Sequence, residues 1–345
     1  MMDIVLFNLV SPAVLFFVLG FTASFFKSDL KFPQALSESL SIYLLIAIGL
    51  KGGIELSRYS LGTLFAPIVG TLILGIVIPI VMFLVCTALK IDRKNAIALA
   101  ATYGSVSIVT FGAAIAFLEE TNIEFESYLS AMVVLLESPA IFISLMLLGW
   151  LESRNKSNKI EQTRNYKLGI MPQPENSSAI KWIDPHLIKE SLVNKSILLM
   201  LGALLVGMIT GDRAIPAVKT VFIDLYSGIL VIFLLGMGLL AGERIAEMKK
   251  YGLKMIGLAI VMPLLFGIFG VLIGYSCGLS EGGTALMGIL GASSSYIAAP
   301  AAIRQSIPEA NPSIYLGMSL GVTFPFNLIV GMPIYLLFAQ WIHSL

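Results

Sequence analysis

The sequence predicts an all-α polytopic membrane protein with ten transmembrane helices in two inverted repeats of five. Of its 345 residues, 57% are apolar and only 12% are charged, whereas a soluble domain has about 25% charged residues. Long apolar runs recur along the whole chain, and a helix needs about 20 such residues to cross a bilayer. Short motifs also recur in the same order in both halves, which predicts the repeat.

Ten apolar segments follow one another along the chain, and a long polar segment divides them into two groups of five. We predict a first repeat over residues 1–151, a cytoplasmic loop over 152–194 and a second repeat over 195–345. The loop is too polar to bury a core, so we expect it to be partly disordered, as a linker or as a docking site for a regulator. The predicted spans are 4–26, 33–56, 62–89, 94–118, 127–151, 195–211, 216–242, 251–277, 283–306 and 311–342.

Lysine and arginine are distributed unevenly between the two sides of this predicted topology. With the N-terminus outside, 18 of the 22 Lys and Arg residues fall on the inner side of the membrane. Because basic residues concentrate in cytoplasmic segments, we expect the central loop in the cytoplasm and both termini outside. The predicted location is the plasma (inner) membrane.

The internal repeat rests on four pairs of motifs. An odd number of spans per repeat turns the second half upside down relative to the first, and such inverted repeats are typical of secondary transporters. The glycines of the first pair are expected to let helices pack closely. The pairs are GLKGG from Gly49 with GLLAG from Gly238, GIVIPIV from Gly75 with LAIVMPLL from Leu258, GSVSIVTFGAAI from Gly104 with ASSSYIAAPAAI from Ala292, and LLESPAIF from Leu135 with VTFPFNLI from Val322.

Serine-rich clusters interrupt the fourth and ninth predicted spans. Serine and glycine are poor helix formers, so we predict broken helices that cross at the membrane centre. In an inverted topology the second halves of these helices point their N-termini at each other, and their free N–H groups and hydroxyls form an anion site. The alternative is that the serines only permit close packing. The candidate substrate-binding residues are Gly104, Ser105, Val106, Ser107, Ala292, Ser293, Ser294 and Ser295.

Glu137 lies near the centre of the fifth predicted span. A carboxylate at that depth is costly and is usually functional, so it is a candidate to bind sodium or to carry a proton. The alternative is a structural carboxylate that is hydrogen-bonded to a neighbouring helix. The repeat places further oxygen ligands nearby, at Thr110, Thr323 and Asn327.

Several other function classes find no support in the sequence. The two histidines, His186 and His343, lie far apart, so they form neither a catalytic triad nor a metal site. No phosphate-binding loop is present, which favours transport driven by an ion gradient, and no cofactor is expected. We therefore do not predict an enzyme. An anion channel is disfavoured because the polar residues cluster at one depth instead of lining a pore.

The segments YGSVS, ESPA and ASSSYIAAPAAIRQSIPEANPSIYLGMSLG resemble the cyanobacterial-type sodium-dependent bicarbonate permeases. The resemblance covers most of the chain. It implies bicarbonate bound where the fourth and ninth helices break, with sodium beside it, a homotrimer and a PII-like cytoplasmic regulator. It also implies a core of spans 3–5 and 8–10 that moves against a gate of spans 1, 2, 6 and 7. The family pattern has an aspartate at Glu137 and an acidic residue at Tyr296, which makes both positions candidates for cation binding.

These observations together predict a sodium/bicarbonate symporter that works by alternating access. The alternatives are a sodium- or proton-coupled carrier of another small anion, such as a short carboxylate, and an anion channel.

Overall fold

The computed structural model describes residues 2–166 and 195–345. All of the regular secondary structure in these residues is helical, which confirms the predicted all-α class. The helices are α1 (Met2–Leu9), α2 (Pro12–Phe25), α3 (Gln34–Leu56), α4 (Leu61–Ala88), α5 (Arg93–Gly104), α6 (Ile108–Glu120), α7 (Ser130–Tyr166), α8 (Lys195–Thr210), α9 (Tyr226–Met248), α10 (Leu253–Ser276), α11 (Glu281–Ala292), α12 (Ala298–Ser306) and α13 (Pro312–His343).

Seven helical stretches within the described residues are long and apolar enough to cross a membrane. One of them joins α5 and α6, and another, Lys195–Met248, contains both α8 and α9. The helix α2 is apolar but shorter than the others. These stretches support a multi-pass membrane protein.

Two predicted boundaries differ from the structure. The first predicted span, 4–26, is two helices, because α1 ends at Leu9, Ser11 caps α2 with its hydroxyl and Pro12 begins α2. Proline is favoured at the first position of a helix. The helix α7 continues to Tyr166, so residues 152–166 of the predicted loop are helical. The rest of that loop, 167–194, lies outside the described residues.

Glycines bring two pairs of helices into backbone contact. Gly49 and Gly53 of α3 face the carbonyls of Met200 and Leu204 in α8, and Gly238 of α9 faces the carbonyl of Phe17 in α2. A Cβ atom at any of these glycines would collide with the neighbouring backbone. The predicted packing role of these glycines is therefore confirmed, and in each pair the two helices run parallel.

The chain reverses direction between α8 and α9. Gly211, just after α8, lies beside Ser57 at the end of α3, and its positive φ of 53° is one that glycine adopts readily. Eleven residues later, Phe222 stacks on Tyr43, which lies 14 residues before Ser57 in the chain, with ring centroids 5.5 Å apart. The α8 and α9 helices therefore run in opposite directions.

The α5 and α11 helices lie in the interior and match each other closely. Each has 12 residues, which corresponds to about 18 Å or roughly half a bilayer. Side chains cap both N-termini, through Asp92 for α5 and Ser280 for α11. The α4 and α7 helices pack around α5, while α10 and α13 pack around α11.

The α13 helix contains two π-helical segments, Gly317–Thr323 and Asn327–Gly331. A π segment leaves some carbonyls without their usual partners in the helix. The side chain of Asn8 in α1 donates hydrogen bonds to two of these carbonyls, at 3.0 Å to Leu328 and 3.1 Å to Ile329. This contact attaches the N-terminal helix to α13.

Candidate functional site

The first predicted break is present between α5 and α6. The α5 helix ends at Gly104, and residues 105–107 are not helical. Gly104 is packed tightly, because a Cβ there would lie 2.9 Å from the Cβ of Pro79 and 2.8 Å from the Cβ of Ala140. Ser107 then caps α6 by accepting a hydrogen bond from the amide of Thr110 at 3.2 Å. Packing thus fixes the end of one helix, and a serine starts the next.

The second predicted break is also present, and it is longer. The α11 helix ends at Ala292, and residues 293–297 are not helical. Ile297 precedes α12 and provides no side-chain cap. The amide of Ala299 instead donates to Ser295 Oγ at 3.1 Å, and Pro300 has no N–H group.

Hydrogen bonds join the two breaks directly. The amide of Ser295 donates to the carbonyl of Thr102 at 2.8 Å. The amide of Ser107 donates to Ser293 Oγ at 3.2 Å, and Ser293 Oγ donates in turn to the carbonyl of Leu290 at 3.1 Å. The two interrupted helices therefore meet where both have lost their regular backbone hydrogen bonds.

Several buried polar atoms around this meeting point have no hydrogen-bond partner. They include the side-chain oxygens of Thr102, Ser105 and Ser294, and these three side chains are at most 3% exposed. The amides of Ile108 and Val109, the first two of α6, also have no acceptor among the described residues. Unsatisfied buried polar groups are rare in proteins, so such a concentration indicates a ligand site.

The donors that the structure offers differ from those predicted. We expected free amides at the start of both half-helices, and α6 has two of them. In α12 the amide of Ala299 is engaged, Ala298 also makes an interaction, and the third residue is proline, which has no N–H group. Ser107, Ser293 and Ser295 are also used in structural hydrogen bonds, which leaves Ser105 and Ser294 as the free serines.

A family model for the Na⁺-dependent bicarbonate transporter superfamily matches residues 12–340. The chain belongs to this superfamily. A search of curated proteins found no match. The chain is therefore a transporter and not an enzyme, and its family transports bicarbonate in a sodium-dependent way.

The predicted cation ligands fall into two groups in this transporter. Thr323 accepts a hydrogen bond from the Tyr103 hydroxyl at 2.7 Å and donates to the carbonyl of Ala259 at 2.6 Å. Asn327 donates to the carbonyl of Ala292 at 2.7 Å and accepts from the Tyr335 hydroxyl at 3.1 Å. Both side chains thus tie α13 to the interior, and their oxygens already have partners.

Glu137 lies on the other side of α5. Its neighbour one turn along α7, Ala140, packs against Gly104, whereas Tyr103 points to Thr323. Glu137 is 1% exposed and its Oε2 atom has no hydrogen-bond partner. Among the described residues, no hydrogen bond joins Glu137 to Thr323 or Asn327.

The remaining predicted residues lie at or beside the two breaks. Val106 is buried within the first break, and Thr110 is buried in the first turn of α6. Tyr296 belongs to the second break. Its hydroxyl lies beside the Ser107 side chain, although it does not reach hydrogen-bond geometry.

A cavity of about 340 Å³ leads toward the second break from one end of the transporter. Its walls come from α3, α8 and α9 on one side and from α12 and α13 on the other. Exposed residues such as Glu38, Lys195 and Arg304 line its outer part, and Tyr296 is the cavity-lining residue that belongs to the serine cluster. The cavity therefore reaches the second break at Tyr296 from the end that carries Arg304.

Two contacts join helices at the opposite end of the transporter. The Tyr226 hydroxyl of α9 packs directly against Gly112 of α6, where there is no room for a Cβ atom. Nearer the surface, Lys51 of α3 forms an ion pair with Glu119 of α6 at 3.2 Å. These contacts join α6 to α9 and to α3, and both of those helices also line the cavity.

Sequence reasoning missed several of these residues. Thr102 is at the meeting point, and a threonine within a helical turn of a predicted break was a usable signal. The cavity-lining residues Glu38, Arg244 and Arg304 gave no such signal. Their meeting depends on how α3, α9 and α12 pack, which the sequence pattern does not specify.

Proposed function

We propose that this transporter is a sodium/bicarbonate symporter that works by alternating access. The observation that carries the proposal is the meeting of two interrupted helices around buried, unpartnered hydroxyls and free amides. Ser105, Ser294 and the first amides of α6 are all hydrogen-bond donors. The N-terminus of α6 adds a partial positive charge, so this environment suits a small anion.

The architecture that we propose is ten spans in two inverted repeats, over residues 1–151 and 195–345. The Lys195–Met248 stretch has 54 residues and reverses direction, so it supplies two spans. The α1/α2 pair supplies the first span and the α11/α12 pair the ninth. Two facts support the symmetry. The α5 and α11 helices are equally long and end at the matched positions Gly104 and Ala292. The parallel pair α2/α9 would be carried onto the parallel pair α3/α8 by the symmetry operation.

The proposed orientation has both termini outside and the segment 152–194 in the cytoplasm. The cavity then opens to the cytoplasm, and the contacts of Tyr226 and of the Lys51–Glu119 pair close the outer side. The gate comprises α1–α3, α8 and α9, and the core comprises α4–α7 and α10–α13. The closing contacts join gate to core, so a relative movement of the two would open the outer side, as alternating access requires.

Glu137 is the coupling residue in this proposal. Among the described residues, it is the only buried Asp, Glu, Lys, Arg or His side chain. A buried, charged carboxylate with an unpartnered oxygen, as at Oε2 of Glu137, is unfavourable. Binding of a sodium ion would neutralise it, and binding of a proton is the alternative that proton coupling would use.

The homotrimer and the PII-like regulator remain predictions that come from the family resemblance. The structure contains one chain, and residues 167–194 of the predicted docking segment lie outside the part that it describes. Cross-linking of the protein in membranes tests the trimer. Binding of a purified PII-like protein to inside-out vesicles tests the regulator.

Uptake of labelled bicarbonate into proteoliposomes tests the proposed function. We expect saturable uptake that requires an inward sodium gradient and collapses when the gradient is dissipated. Uptake driven by a proton gradient alone would indicate proton coupling, and competition by short carboxylates at lower concentrations would indicate another substrate. Unsaturable flux without a cation gradient would indicate a channel and would overturn the proposal.

A further inference from the structure

We propose that Tyr296 is both a substrate-binding residue and the inner door of the anion site. The inference rests on the proposed function, because it assigns a role within the same site. Two observations on different parts of the side chain carry it. The hydroxyl is buried beside the Ser107 side chain without a hydrogen-bond partner, and the residue also lines the cavity that Arg304 borders.

The hydroxyl argues for a contact with the substrate. It belongs to the second break but lies beside Ser107, the residue that caps α6 in the first break. The free amides of Ile108 and Val109 follow that cap directly. A buried hydroxyl that lacks a partner carries a desolvation cost, and an anion held at the start of α6 would accept its hydrogen bond.

The position of the Tyr296 ring supports a role in closing the inner entrance to the site. It packs edge-on against Phe324 of α13, with ring centroids 5.6 Å apart at an angle of 72°. Phe324 is itself 1% exposed and also contacts Phe17 of α2 edge-on at 5.4 Å. The aromatic wall thus runs from the second break to the gate, and the Tyr296 ring is the part that faces the cavity.

These two roles link occupancy to closure. Tyr296 lies within the longer of the two breaks, and Ile297, which follows it and precedes α12, provides no side-chain cap for that helix. A hydrogen bond from the hydroxyl to the anion would hold the ring across the inner entrance. Departure of the anion would release the ring toward the cavity. The same residue would thereby help to select a hydrogen-bond acceptor as substrate.

Two substitutions at one position separate the roles. Tyr296→Phe removes the hydroxyl and keeps the ring, whereas Tyr296→Ala removes both. Tyr315→Phe is the matched control, because Tyr315 is also a buried tyrosine of the interior, 1% exposed, and lies in α13 away from the breaks. Access to the site is measured separately, through Val106→Cys in a background of Cys86→Ala and Cys277→Ala. A membrane-impermeant thiol reagent is added on the cytoplasmic side of inside-out vesicles.

We expect Tyr296→Phe to raise the KM for bicarbonate by about tenfold or more, as loss of a hydrogen bond to a charged group implies. Its labelling rate should stay near that of the parent. Tyr296→Ala should raise KM similarly and should also speed labelling at least about tenfold. An unchanged KM in Tyr296→Phe would overturn the contact, and an unchanged labelling rate in Tyr296→Ala would overturn the door.

The labelling assay does not require transport, so it distinguishes this proposal from the proposed function. If the parent protein carries no bicarbonate, the proposed function fails, while the labelling rates still decide whether Tyr296 closes the inner entrance. Thermal unfolding in detergent shows whether each variant is folded. If Tyr296→Ala does not fold, Tyr296→Val replaces it in the labelling assay, because valine keeps an apolar side chain but cannot cover the entrance.

Discussion

The two interrupted helices have similar first halves but different second halves. After α5, only residues 105–107 leave the helix, and a serine caps α6, which has 13 residues. After α11, residues 293–297 leave the helix, and α12 has nine residues without a side-chain cap at Ile297. Residues 108–118 of α6 are all buried, whereas Ala301 and Arg304 of α12 border the cavity.

This difference indicates that the two interrupted helices have different roles in the site. The first break is fixed by packing at Gly104 and by the Ser107 cap, so its free amides keep a constant position. The second break is longer and borders the cavity at Tyr296 and Ile297, so it is the side that we expect to move when the substrate enters or leaves. A site with one fixed and one adaptable side can bind an anion and respond to it.

The largest effect that we expect is at Glu137, which lies one turn before the contact of Ala140 with Gly104 at the first break. In the aligned halves its counterpart is Thr323, which cannot carry a charge. Glu137→Gln keeps the shape of the side chain but removes the charge that would balance sodium. We expect sodium-stimulated bicarbonate uptake to fall by at least about tenfold, since interactions with a charged group contribute about 1.5–3 kcal/mol.

Glu309→Gln is the matched control for this experiment. Glu309 is an exposed carboxylate in the loop after α12, and it forms an ion pair with Lys94 at 2.6 Å. The hydrogen bond from Lys94 holds the pKa of the Glu309 carboxyl below its usual value, so it is charged at neutral pH. Removal of this charge should leave sodium dependence unchanged. A Glu137→Gln variant with the sodium dependence of the parent would remove Glu137 from the coupling mechanism.

The next effect concerns the serines of the two breaks. Some have unpartnered hydroxyls and others make structural hydrogen bonds, so we expect substitutions of the two kinds to have different effects. Ser105 and Ser294 have free hydroxyls, one in each break. We expect Ser105→Ala and Ser294→Ala to raise the KM for bicarbonate several-fold with little change in thermal stability. Ser293→Ala should instead lower stability by about 1 kcal/mol, because it removes the acceptor for the Ser107 amide. Equal effects of all three on KM would contradict the assignment of free and structural serines.

A smaller effect should follow from removal of the α6 cap. Ser107→Ala deletes the acceptor for the Thr110 amide, and loss of a serine cap costs about 1 kcal/mol. The variant should unfold at lower temperature or denaturant concentration in detergent, and its KM should rise because the start of α6 frays. Ser107→Asp should restore stability as a cap, but its negative charge should repel the anion. Recovery of both stability and KM in Ser107→Asp would show that no anion binds at this end of α6.

Much of the fold and the position of the breaks could be predicted from local chemistry. Small polar residues at 104–107 and 292–295 interrupt otherwise apolar helices, and both interruptions lie where the prediction placed them. The extension of the second break to Ile297 was also readable, because the ring of Pro300 would clash with the carbonyl of residue 296 in a continuous helix. Pro300 therefore has to lie in the first turn of α12.

The roles of individual serines could not be predicted, because they depend on contacts between distant segments. Ser293 and Ser294 are adjacent and chemically identical, yet only Ser293 meets the Ser107 amide. The separation of Glu137 from Thr323 has the same origin. Consecutive residues of α5, Tyr103 and Gly104, face different neighbours, so ligands that the repeat scheme placed together lie on different sides of one helix.

The smallest effect that we expect tests the far end of α6, where Lys51 of α3 contacts Glu119. Lys51→Gln removes the ion pair with Glu119, whose two side chains are 28% and 48% exposed. Exposed pairs contribute about 0.2–1 kcal/mol, so the equilibrium should shift toward the outward-open state by less than about fivefold. External labelling of the cysteine introduced by Val106→Cys measures this shift. High salt should produce a similar increase in the parent, because salt screens exposed pairs.

Arg58→Gln is the control for this experiment, since Arg58 pairs with Asp212 and both residues lie on the gate side. An equal shift in Arg58→Gln would show that general surface charge, and not the contact between gate and core, holds the outer side closed.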